Sequence, residues 1–205
     1  MTTPKLIAAA ALILSAAACE KKSEPAPAPP AATPAEPPSA PTAPSLDDVP
    51  AMPLPPWSGA RISASSIPRI YTDVWRVAEN KSRCAMLAPR GLSAASAAAT
   101  PRKATFSGGW SVAYDFPQQR SAFGVAGSGS DAWDPGTYAQ WPHNINWSDG
   151  SSAGYGPEAG TGPNWLAYVK IPGQQCLYNV WSKHGQSHLE QIIDSLRIVA
   201  ADGDA

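Results

Sequence analysis

The sequence predicts an α+β domain, an antiparallel sheet of about five strands with an N-terminal helix and a C-terminal amphipathic helix on one face. Three observations predict it. Every aromatic ring lies at or after Trp57, so the packed part of the 205-residue chain is a single folded domain, residues 57–205. Within it, runs of alternating apolar and polar residues flank Pro-Gln and Pro-Gly turns, the period of half-buried strands. On either side stand stretches whose apolar residues recur every three and four positions, the period of helices that cover a sheet. Charge adds an exclusion: 15 Lys+Arg against 16 Asp+Glu leaves no basic surface for nucleic acid.

Taken in order, residues 1–5 are a short positive start, residues 6–14 (LIAAAALIL) an apolar run, and residues 15–18 small. That is the order of an export signal, residues 1–18. Continued to Cys19 as a helix, the run reaches about 21 Å, short of a hydrocarbon core of about 30 Å, so it is no stable span. LSAAAC, residues 14–19, resembles the lipobox of bacterial lipoproteins. The resemblance implies cleavage before Cys19 and a lipid on Cys19 that ties the chain to a membrane. Ala16, Ala17 and Ala18 also satisfy the small-x-small rule of ordinary secretion, with the cut at the same bond. Three cysteines are an odd count for an exported chain; pairing Cys84 with Cys176 leaves Cys19 over, and lipidation gives that thiol a use. By resemblance to Gram-negative lipoproteins, Glu20 in place of Asp implies the periplasmic face of the outer membrane.

Residues 19–56 form the next part. Thirteen of the 23 prolines fall here, in a Pro/Ala stretch with no apolar period that cannot offset the entropy of ordering. Fixed proline φ keeps such a chain extended, and the 37 residues after Cys19 reach on the order of 100 Å at about 3.1 Å each. The expectation is a disordered tether that sets distance from the anchor. The alternative use, residues 27–30 as a ligand for a proline-binding groove, lacks a repeated PxxP-Arg pattern.

In residues 66–80, Ile67, Ile70, Tyr71, Val74, Trp75 and Ala78 share a helical side, with Ser66 as cap and Pro68 in the first turn, although a β-rich segment leaves a strand open. Cys84 follows that helix, and residues 91–100 read as an Ala/Ser/Gly loop closed by Pro101. Residues 110–116 and 121–126 form a hairpin by alternation, residues 165–171 and 175–182 a second, with Cys176 in its last strand. Asp149-Gly150 suits a type I′ turn and predicts a third short hairpin within residues 144–155. Leu189, Ile192, Ile193, Leu196 and Val199 make the stripe of the last helix, with Ser187 and Glu190 spaced as a capping box.

Motifs for chemistry are sparse. Residues 150–154 fit G-x-S-x-G around Ser152, but a turn precedes the serine and Tyr155-Gly156-Pro157 follows it, where a nucleophile elbow needs a buried strand and then a helix. His184 and His188 have zinc spacing, yet Gly185 lies between them and Ser187 looks like the cap, so the shared face is lost and no third ligand stands nearby. Asp131 and Asp134 lack the dense oxygen ligands of a calcium loop. No catalytic, metal or cofactor site is expected. The unusual segment is residues 131–165, where Trp133, Tyr138, Trp141, Trp147, Tyr155 and Trp165, with His143, stand among Gly, Asn, Asp and Ser. Rings beside short polar donors suit a protein interface or a sugar, and they equally pin loops to a scaffold.

The expected function is therefore that of a non-catalytic, envelope-anchored binding domain. An envelope protein partner leads, with the chain as assembly factor, inhibitor or immunity-like protein. Peptidoglycan or another glycan is the alternative ligand, and a cell-wall or ester hydrolase stands third.

Overall fold

The computed structural model describes residues 51–106, 108–128, 140–160 and 162–200. The strands are β1 (Leu87–Pro89), β2 (Thr100–Lys103), β3 (Trp110–Phe116), β4 (Gln119–Ser128), β5 (His143–Asn146), β6 (Ser152–Pro157), β7 (Trp165–Lys170), β8 (Leu177–Ser182) and β9 (Leu196–Ile198). Seven of them form one antiparallel sheet in the order β2-β3-β4-β8-β7-β6-β5, and β1 pairs antiparallel with β9 in a separate two-stranded sheet. The domain is thus mostly β, and the expected sheet of about five strands is corrected to seven.

All three expected hairpins are present. β3 and β4 meet at a tight turn with Phe116 opposite Gln119, and β7 and β8 pair with Trp165 opposite Ser182. Between β5 and β6 the loop differs from a type I′ turn. Gly150 has φ 81° but Asp149 does not enter the left-handed region. Trp147 N–H instead donates to Ser151 O at 3.0 Å, and Asp149 Oδ1 accepts the Ser151 N–H at 2.8 Å. The stretch expected to be a loop, residues 91–100, holds a short helix, Ala94–Ala97, and leads into β2. Pro101 is tolerated there because β2 is an edge strand, where a missing N–H breaks no ladder.

Both expected helices cover one face. The first is shorter than its apolar pattern: it spans Ile70–Arg76, and Ser66 belongs to a preceding 3-10 turn, Ala64–Ser66, instead of capping it. Its Tyr71 ring stands 6.3 Å from Trp110 and 6.4 Å from Tyr114. The C-terminal helix spans Gln186–Ser195 and buries Leu189, Ile192 and Ile193. Its expected capping box does not form: Gly185, at φ 84°, occupies the cap position, and Glu190 accepts from Tyr155 and Gln186 instead. Leu196 and Val199 continue the apolar stripe, but the chain turns extended at Leu196 to build β9, and Val199 bridges in parallel to Ile62. Cys84 and Cys176 form a disulfide; Cys176 stands just before β8, one step outside the strand expected to hold it.

Packing begins slightly ahead of the expected boundary at Trp57. Pro55 is buried, and Pro53 O accepts the Ser148 N–H at 2.9 Å. Trp57 itself is buried edge-on against Trp147 at 4.9 Å. Among the described residues no helix is long and apolar enough to cross a membrane.

Candidate functional site

Pleating assigns the sheet two faces. Val112, Tyr114, Phe123, Val125, Ala167, Val169, Tyr178 and Val180 are buried together in the core under the helices. Leu166, Tyr168, Asn179 and Trp181 alternate with these residues, so they point to the other face, and there they line a cavity of about 370 Å³. Phe106 and Trp165 add rings to its wall, and Glu158, Asn164 and Lys183 add polar groups. The register arranges this wall in two rows across the strands. Gly124 lies beside Trp181 and Trp181 beside Leu166, while Ala126 lies beside Asn179 and Asn179 beside Tyr168. Small residues on β4 leave the indole of Trp181 room to lie across the strand.

Asn179 is a buried amide in this wall. It is only 6% exposed, and among the described residues its Nδ2 reaches only Leu177 O, at 3.5 Å, the outer limit of a hydrogen bond. A buried amide so weakly satisfied is unusual and calls for an acceptor. Beside it, burial first and then the Glu158 carboxylate raise the pKa of the Tyr168 hydroxyl, which stays protonated and able to donate.

The aromatic residues singled out in residues 131–165 do not converge on one place. Trp133 and Tyr138 lie outside the described residues. Trp147 is 4% exposed and serves the core with Trp57. His143 stacks on Tyr155 at 5.1 Å, with Trp165 5.5 Å from the imidazole. Tyr155 is buried on the helix-covered face, where its hydroxyl donates to Glu190 Oε1 at 2.7 Å. Burial, then the Glu190 hydrogen bond and charge, push that hydroxyl up to about 12, while the Gln186 amide and then Tyr155 hold the Glu190 carboxyl below its usual range. Trp141 is half-buried, 5.5 Å from Tyr168. Of the expected contacts, Trp141 adjoins Tyr168, and His143 and Tyr155 adjoin Trp165, both of them cavity-lining rings. Trp181 and Asn179 were missed because the apolar half of their strand drew the reading; the period-2 positions left over in both strands of that hairpin carried the signal.

A second polar cluster surrounds His188. Its Nδ1 lies 2.7 Å from Ser182 Oγ and its Nε2 2.9 Å from Ser96 Oγ. Ser182 is 1% exposed and its oxygen already accepts the His184 N–H at 2.9 Å, so its proton has Nδ1 as acceptor among the described residues. Nε2 therefore carries the imidazole proton and donates to Ser96. In that tautomer His188 cannot take the Ser96 proton, which separates the cluster from a nucleophile-base pair. Burial first, then the charge of His184, lowers the His188 pKa from 6.5. Between the lowered folded value and 6.5 the unfolded chain holds a proton that the folded chain lacks, so stability rises with pH there. It is complete above the unfolded pKa and lost as pH falls through the folded one. Urea midpoints are expected to drop through that window, and His188→Gln to flatten the slope; an unchanged slope rules the imidazole out as its source.

Ser152 opens β6 between Asn146 and Lys170, with strand rather than helix after it. The His184 and His188 rings are 5.2 Å apart, with His184 outside the helix, and no group of three or more metal-ligating side chains occurs among the described residues. Asp131 and Asp134 lie outside them. No protein-family model matches the chain, and no curated protein or solved structure matches it significantly.

Proposed function

We propose that this chain is an envelope lipoprotein whose folded domain binds a short saccharide in the cavity lined by Tyr168, Asn179 and Trp181. The observation that carries the reading is the buried, weakly satisfied Asn179 amide between two rings. A sugar presents apolar C–H faces to the rings and hydroxyl oxygens to the amide, and about 370 Å³ lies within the usual range of small-molecule sites, about 300–1,000 Å³. Anchoring through Cys19 and the Pro/Ala tether would bring that cavity to the wall, so a peptidoglycan glycan is the ligand class. An envelope protein as partner is the competing outcome.

Two measurements test the two halves of the proposal. Purified protein is expected to bind N-acetylglucosamine oligomers or peptidoglycan saturably, and Trp181→Ala to weaken binding about ten-fold, or ~1.4 kcal/mol. Retention of an envelope protein with no binding to glycan would overturn the saccharide and support the partner. Cys19→Ala is expected to abolish lipid attachment and move the protein out of the membrane fraction. Unchanged mass and fractionation would remove the anchor from the account.

A further inference from the structure

A second cavity, about 400 Å³, is lined by Arg90, Ser93, Ser96, His188 and Arg197, with Asp194 as its carboxylate. The hydrogen bonds of its wall run in one direction. His188 Nε2 donates to Ser96 Oγ, as the tautomer requires, and the Ser96 proton is then directed to Ser93 Oγ at 3.0 Å. Ser93 Oγ also accepts the Ser96 N–H at 3.3 Å. With two donors already directed at its oxygen, the exposed Ser93 hydroxyl has its own proton left to give to the cavity. The relay begins on the His184 N–H and Ser182, so the buried network fixes a hydroxyl donor on the cavity wall.

Charge on the rim agrees in sign. Arg197 Nη1 donates to Asp194 O and Leu196 O, backbone carbonyls that hold the guanidinium in place without neutralising it. Arg90 is exposed and forms no salt bridge among the described residues, so two guanidinium charges face one carboxylate. Guanidinium forks and a hydroxyl donor match the oxygens of a carboxylate or phosphate.

We infer that this cavity is a binding site for a small oxyanion, a carboxylate or phosphate, held by Arg90 and Arg197 with Ser93 as a hydrogen-bond donor. It does not rest on the saccharide reading: the two cavities share no lining residue, and only Ser182, at the head of the relay, also lines the first. The test is a titration of the isotope-labelled full chain with inorganic phosphate and with malonate, read by NMR at the arginine side chains and the His188 ring, with glycerol as neutral control. Either anion, or both, is expected to shift these signals saturably while glycerol does not. Arg90→Ala, at an exposed side chain that leaves the fold alone, and Arg197→Gln are each expected to weaken binding about ten-fold, and Ser93→Ala several-fold. Non-saturating shifts with both anions, shifts shared with glycerol, or both arginine variants binding as tightly as the parent would overturn it.

Discussion

Removing the bridge between Cys84 and Cys176 is expected to cost the domain about 4–5 kcal/mol, the loop-entropy value for a separation of 92 residues. For a domain of this size that is a fall in Tm of about 10–20 °C. The structure explains why the loss is to be sought in the unfolded chain. Both cysteines are buried, at 1% and 5% exposure, and as free thiols they would behave as small apolar side chains and keep much of their packing. The surrounding contacts are local partners of the bridge: Gln174 Oε1 accepts the Ala85 N–H at 2.9 Å and meets the Tyr178 hydroxyl, and the Gln175 N–H donates to Arg83 O at 3.1 Å. These bonds need the two segments already in place. The bridge alone keeps the turn after the first helix near the start of β8 when the rest is open. The Cys84→Ala, Cys176→Ala double variant should therefore lower the urea midpoint and raise the denaturant slope, since a longer free chain exposes more surface on unfolding. A change below about 1 kcal/mol would mean that the Gln174 contacts hold the two segments together even in the unfolded ensemble.

The same distinction between local and distant order explains what the sequence made legible. Three hairpins were readable because alternation and a Pro-Gly, Pro-Gln or Asp-Gly turn act within a dozen residues. The last helix was readable to Ser195 but not at its end. Leu196 continues the apolar stripe, and what draws it out of the helix is pairing with Pro89, more than a hundred residues earlier. β2 was missed for a related reason: Pro101 and Lys103 disfavour a strand, and its place depends on β3 offering an open edge. The candidate site was the least legible. Rings clustered in sequence, such as Trp141, Trp147 and Tyr155, went to three different environments, while the cavity joins Phe106 to the Tyr168 and Trp181 rings of a hairpin far along the chain. Which face a ring takes is set by register, and register is a property of paired strands.

Gly124 is where fold and candidate site depend on the same atom's absence, so Gly124→Ala is expected to damage both. A Cβ built there would collide with Trp181 Cζ2, stand 2.5 Å from its Cη2 and 2.6 Å from Val112 O. The carbonyl belongs to β3, and moving it means moving the ladder between β3 and β4. The indole is the softer obstacle and must leave the cavity wall. Overpacking of this kind costs about 1–3 kcal/mol, and the upper part of that range fits a central position where one of the colliding atoms is backbone. Calorimetry should find the loss of stability, and a change in tryptophan fluorescence should accompany it as the Trp181 ring shifts. Saccharide binding should fall in the variant at temperatures where it is still folded. If the variant binds saccharide as the parent does while its stability drops, the Trp181 ring is not part of the binding wall, and the cavity's ligand must be held by Tyr168 and Asn179 without it. A variant with full stability would mean that the ladder yields more easily than a seven-stranded sheet with β4 near its centre should.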